Sequence, residues 1–130
     1  MNLVNDFMKF AKEQQLNEED IFTEKAEGYT VISFGEEGEV GVIYNVALVL
    51  YDDNNTTEIY VRKAIEVQNL LDVLQKVNEL NFEYRGINFF LRDGLVTSKS
   101  YVEAHGDIEI VLKQMLQTMR VASEEFSKFN

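Results

Sequence analysis

Asn81-Phe82-Glu83-Tyr84-Arg85-Gly86-Ile87-Asn88-Phe89-Phe90-Leu91-Arg92-Asp93-Gly94-Leu95-Val96-Thr97-Ser98-Lys99-Ser100-Tyr101-Val102-Glu103 decides the fold. Two alternating runs, Phe82–Arg92 and Leu95–Glu103, flank Asp93-Gly94. Asp-Gly between such runs is a strong hairpin signal, because a type I′ turn needs positive φ at both central residues. A two-residue loop pairs Leu91 with Val96, Phe89 with Ser98 and Ile87 with Ser100. With Val102 these form a mainly apolar face suited to lie under helices. The opposite face carries Tyr84, Gly86, Asn88, Phe90, Arg92, Leu95, Thr97, Lys99 and Tyr101.

Downstream, His105-Gly106 is a break, and Asp107 is a good N-cap with Glu109 in the first turn. A helix follows to about Phe129. Ile108, Leu112, Met115, Met119, Ala122, Phe126 and Phe129 step by four and three, and Val111, Leu116 and Val121 widen that stripe. The width favours a helix laid across a sheet over a strict coiled-coil seam.

Upstream, Leu3–Gln15 reads as a first helix, with Leu3, Phe7, Phe10, Ala11 and Gln14 on one stripe. Asn17–Gly28 reads as a polar, acidic connector holding Ile21-Phe22 as a short anchor. Tyr29–Phe34 is a strand, Gly35-Glu36-Glu37-Gly38 a turn, and Glu39–Tyr51 a strand that is apolar on both faces. Such a strand is central or covered on both sides. Asp52-Asp53-Asn54-Asn55 is a turn, Thr57–Ala64 a third strand and Glu66–Glu79 a second helix built on Val67, Leu70, Leu71, Leu74 and Val77. The order predicts an α+β domain, α-β-β-β-α-β-β-α, with one antiparallel five-stranded sheet. At 130 residues the chain fits a single domain.

Composition narrows the function classes. There is no cysteine, so disulfides, thiolate zinc sites and cysteine nucleophiles are absent. The first residues lack the basic and apolar regions of a signal peptide, and the longest apolar stretch is too short to span a bilayer as a helix. A soluble, cytoplasmic protein is expected. The formal net charge of −11 disfavours nucleic acid and anionic membrane surfaces as partners. Between Glu13 and Glu39 nine acids face one base, Lys25, which reads as solvated loops or as a rim that steers a basic partner.

No catalytic, metal or cofactor constellation is present. His105 is the one histidine, and neither Ser98 nor Ser100 carries a nucleophile-elbow signature. Asp52-Asp53-Asn54-Asn55 lacks the spacing of a calcium loop. Gly28, Gly35, Gly38 and Gly41 do not form a phosphate-binding loop. The concrete surface hypothesis is the outer hairpin face, joined by Tyr60 and Arg62 if the third strand is oriented alike. Aromatics with arginine are enriched where proteins meet. A half-solvated sheet with scattered aromatics, or a base-stacking platform, are the competing readings.

The chain resembles the YbjN-like family of bacterial proteins, which shares the architecture of type III secretion chaperones. The resemblance rests on Leu70-Leu71-Asp72-Val73-Leu74-Gln75-Lys76-Val77-Asn78-Glu79-Leu80-Asn81, on Phe89-Phe90-Leu91-Arg92-Asp93-Gly94-Leu95-Val96, and on Leu112, Met115, Leu116 and Ala122. It implies a non-enzymatic role: holding or regulating another protein, often as a homodimer. The expectation is a protein-binding module, chaperone-like or regulatory, that docks a partner segment or a second copy on the outer sheet face. Tyr84, Phe90 and Tyr101 would be anchors, with Arg92 and Lys99 as polar rim. The alternatives are an acidic inhibitor or immunity-type protein capping a basic partner, and a small-molecule enzyme whose polar site assembles across the fold.

Overall fold

The computed structural model describes residues 2–37, 43–64 and 66–129. The elements run α1 (Leu3–Glu13), β1 (Ile21–Ala26), β2 (Tyr29–Glu37), β3 (Ile43–Tyr51), β4 (Thr56–Lys63), α2 (Leu70–Glu83), β5 (Ile87–Arg92), β6 (Leu95–Glu103) and α3 (Ile108–Phe126), with a single 3-10 turn at Glu18–Asp20. The class is α+β, as expected. The sheet has six strands rather than five, in the order β1-β2-β3-β4-β6-β5. All of its pairings are antiparallel.

The extra strand is β1, inside the stretch read as a connector. It forms a hairpin with β2, running from Ile21 opposite Phe34 to Ala26 opposite Tyr29. Phe22, Thr23, Glu24 and Lys25 are all exposed, so burial imposes no alternation on this edge strand. Charged residues on an edge also blunt pairing with other chains. Gly35, Glu36 and Glu37 extend β2 opposite Asn45, Tyr44 and Ile43 instead of making a turn. The remainder of that expected turn, and the first residues of the expected Glu39–Tyr51 strand, lie outside the described residues.

The Asp93-Gly94 hairpin has the expected register, with Leu91 opposite Val96, Phe89 opposite Ser98 and Ile87 opposite Ser100. Asp93 and Gly94 take φ of 53° and 77°, the two left-handed residues that a type I′ turn requires.

The second helix lies four residues later than expected. Its N-cap is Asn69, whose side chain accepts from the Asp72 amide and donates to the Asp72 carboxylate. The residues before it form no helix; Val67 donates its amide to Gly94 and is buried beside the hairpin turn. This start rotates the buried face onto Val73, Val77 and Leu80. Leu70, Leu71 and Leu74, read as core, are exposed. Phe82, Glu83 and Tyr84 finish the helix rather than begin a strand.

The helices cover one face of the sheet. From α1, Phe7 stacks on Phe34 with ring centroids 6.3 Å apart. Helix α3 buries Val111, Met115, Ala122 and Phe126 across β4 and β6. A buried hydroxyl chain fixes it there: Thr118 donates to the Gln114 carbonyl at 2.7 Å, so Ser100 is the donor to Thr118 at 3.0 Å. The breadth of the α3 stripe is that of a helix on a sheet. The covered strand faces contribute Ile32, Tyr44, Val46, Leu48, Ile59, Val61, Phe89 and Val96 to one continuous core.

Candidate functional site: the uncovered face of the sheet

Alternation along each strand sends every second side chain to the face without helices. The registers assemble these residues into rows across the sheet. One row runs Phe22, Ser33, Ala47, Tyr60, Lys99, Asn88. The next runs Gly35, Asn45, Arg62, Thr97, Phe90. Small or short residues, Ser33 and Ala47 in the first row and Gly35, Asn45 and Thr97 in the second, stand among the larger Phe22, Tyr60, Arg62 and Phe90. The result is an open trough of about 470 Å³, with a floor of Ser33, Gly35, Asn45, Ala47 and Thr97. Phe22 walls one end and Phe90 the other; Tyr60, Arg62, Arg92 and Asp93 complete the lining.

Phe22 is 67% exposed, a large apolar cost to leave in water. Strand β3, apolar on both faces, is internal in the sheet, yet helices cover only one of its faces. On the other, Ala47, Val49 and Tyr51 are half-buried among neighbouring strands.

Beside the trough lies a polar network. Glu58 accepts from Tyr51 at 2.6 Å and from Tyr60 at 3.3 Å, and pairs with Lys99 at 2.7 Å. The Lys99 ammonium also sits 5.5 Å from the centroid of the Tyr60 ring. The hydrogen bond from Lys99, then that from Tyr51, hold the Glu58 carboxyl below its ordinary value despite partial burial. Across the next strands, the Tyr51 ring lies 5.7 Å from that of Tyr29. The network orders one wall of the trough and leaves Lys99 committed to Glu58.

The residues expected at the site divide accordingly. Phe90 and Arg92 line the trough, and the Tyr60 and Arg62 pair joins them. Lys99 and Tyr101 share the uncovered face, with Tyr101 in the row that holds Val31, Val49 and Glu58. Tyr84 does not belong to it. As the C-cap of α2, it turns inward, 5.7 Å from the Phe89 ring, and its hydroxyl donates to Glu125 at 2.9 Å. Helical continuation through Glu83 removed the strand alternation that had placed it outside. Thr97 was read on this face; Phe22 was missed because β1 was not read as a strand, and Ser33, Gly35, Asn45 and Ala47 were not assigned to the site, Gly35 having been read as a turn.

His105 sits with φ 50° at the β6–α3 junction, exposed, its amide held by Asn55; the Glu103 carboxylate is 3.9 Å from its ring. Asp53 closes its turn by accepting from the Asn55 amide, the Thr56 amide and the Thr56 hydroxyl. Among the described residues no cluster of three or more histidine, cysteine or acidic side chains could hold a metal ion. No described helix is long and apolar enough to cross a membrane. A second exposed apolar surface lies on α2, where Leu71 and Phe82 are 81% and 94% exposed.

Compared with protein-family models, curated proteins and solved structures, the chain gives no match.

Proposed function

We propose that the protein is a non-enzymatic binding module, chaperone-like or regulatory, that holds a segment of another protein across the uncovered face of its sheet. The observation that carries this reading is the trough: two phenylalanines, a tyrosine and two arginines around a floor of small or short residues, on a face that no described helix covers. Aromatic and arginine side chains are the groups that dominate protein–protein hot spots. The resemblance to secretion chaperones points the same way. An acidic protein capping a basic partner would place acids on its binding face. The charged groups lining the trough are Arg62, Arg92 and Asp93, and the adjacent Glu58 is already paired with Lys99, which favours the first reading.

The test is a pulldown with the double variant Phe22→Ala, Phe90→Ala beside the parent chain, with a thermal melt of each. Phe22 is exposed and Phe90 half-buried, so stability in the melt should fall only modestly, by no more than about 1–2 kcal/mol. Loss of partner, or of a self-associated species in sedimentation, supports the reading. Unchanged association by a folded variant refutes it.

A further inference from the structure

We infer that the trough is built for an acidic segment: an extended partner peptide whose aspartate or glutamate carboxylates meet Arg62 and Arg92 while its apolar side chains lie against Phe22, Tyr60 and Phe90. This rests on the binding-module reading and specifies the partner's chemistry. Charge is the first argument. The whole chain carries −11, yet the trough lining holds two arginines and one aspartate, a local sum of +1. Among the described residues neither arginine has an ion pair; the ion pairs are those of Lys99, His105 and Lys128. Guanidinium forks match carboxylates bidentately, so two uncommitted forks in one depression select that group.

Gly35 is the second argument. Its φ is not in the left-handed region, so the backbone does not require glycine. A Cβ there would meet only the Asn45 amide oxygen, at the ordinary contact distance of 3.5 Å. Neighbours do not require glycine either. Close approach of a ligand or of another backbone is one of the common reasons for a strand glycine, and the open trough leaves room for it here.

Shape is the third. The trough is shallow and crosses the strands, whereas small-molecule sites enclose most of their ligand. From β1 to β5 is five strand spacings, roughly 24 Å, the reach of about seven extended residues.

The experiment selects binders of the full chain from a library of random heptapeptides, then measures the enriched peptide against variants. Enrichment of aspartate or glutamate beside aromatic or aliphatic residues is expected. That peptide should bind Arg62→Gln, Arg92→Gln and Gly35→Val each about tenfold more weakly or worse. Arg85→Gln, an exposed arginine outside the trough, should bind it unchanged. Melts of the arginine variants should match the parent, and Gly35→Val should melt no lower, since valine suits a strand. Enrichment of neutral or basic peptides that still lose binding to the Phe22→Ala, Phe90→Ala variant would overturn the acidic partner and leave the docking face standing. An absence of enriched peptides, or enriched peptides indifferent to every trough variant, would overturn both. Binding of an oligothymidylate that Arg62→Gln abolishes would reassign the arginines to nucleic acid.

Discussion

Tyr84 ties the end of α2 to the last turns of α3 through one bond to Glu125, a carboxylate that is 7% exposed and also meets Lys128 at 3.1 Å. Removing the hydroxyl leaves that buried acceptor short of a donor. Tyr84→Phe should therefore cost about 1–3 kcal/mol in a urea melt. Burial first, then the bond to Glu125, push the Tyr84 hydroxyl from 10.0 to about 12. Below pH 10 both folded and unfolded tyrosine are protonated and the contribution is complete. Between about pH 10 and 12 the unfolded state loses its proton first, so stability falls as pH rises. The alkaline slope of the melt should be shallower in Tyr84→Phe than in the parent. Thr57 gives the opposite case. Its hydroxyl is buried and has no hydrogen-bond partner among the described residues. Thr57→Val removes that unsatisfied group at nearly constant volume and should raise stability by about 1 kcal/mol.

At the scale of elements, Asn81 shows how α2 protects the sheet. Its side chain accepts from the Phe89 amide at 2.6 Å and donates to the Phe89 carbonyl at 2.8 Å, as a neighbouring strand would. One helix residue thus closes part of the free edge of β5. Asn81→Ala should lose about 1–3 kcal/mol by releasing both groups, and the Phe89 amide should exchange with deuterium faster than in the parent. Protection that stays unchanged would mean that another group covers this edge. The elements also explain which parts of the fold could be read from sequence. The β5–β6 hairpin was legible because turn chemistry and one-sided burial agree at Asp93-Gly94. Strand β1 was not, since its middle four residues are all exposed and show no period. The start of α2 was misplaced because Leu70, Leu71 and Leu74 continue an apolar spacing that the fold leaves in water. Asn69, the true cap, was the overlooked signal.

At the scale of the molecule, the six strands and three helices of the described residues make two layers, which leaves one sheet face to solvent or to a partner. Half of the candidate site was visible beforehand: Phe90, Arg92, Tyr60 and Arg62 follow from alternation and the hairpin. Thr97 follows in the same way; Phe22, Ser33, Gly35, Asn45 and Ala47 required the sheet order, which sets β2 beside β3 and β1 outside β2 and is not written in any local spacing. Two apolar surfaces compete for a partner, the trough and the Leu71–Phe82 side of α2. They can be separated by one measurement. The parent chain, Ala47→Glu on the trough floor, and Leu71→Ser with Phe82→Ser on α2 are each used for native co-purification, quantified by mass spectrometry. Both variants alter exposed or half-exposed positions, so melts should stay within about 1 kcal/mol of the parent. The account predicts that the partner is lost from Ala47→Glu and retained by the α2 variant. Retention by Ala47→Glu with loss from the α2 variant would contradict it and move the binding site to the helix.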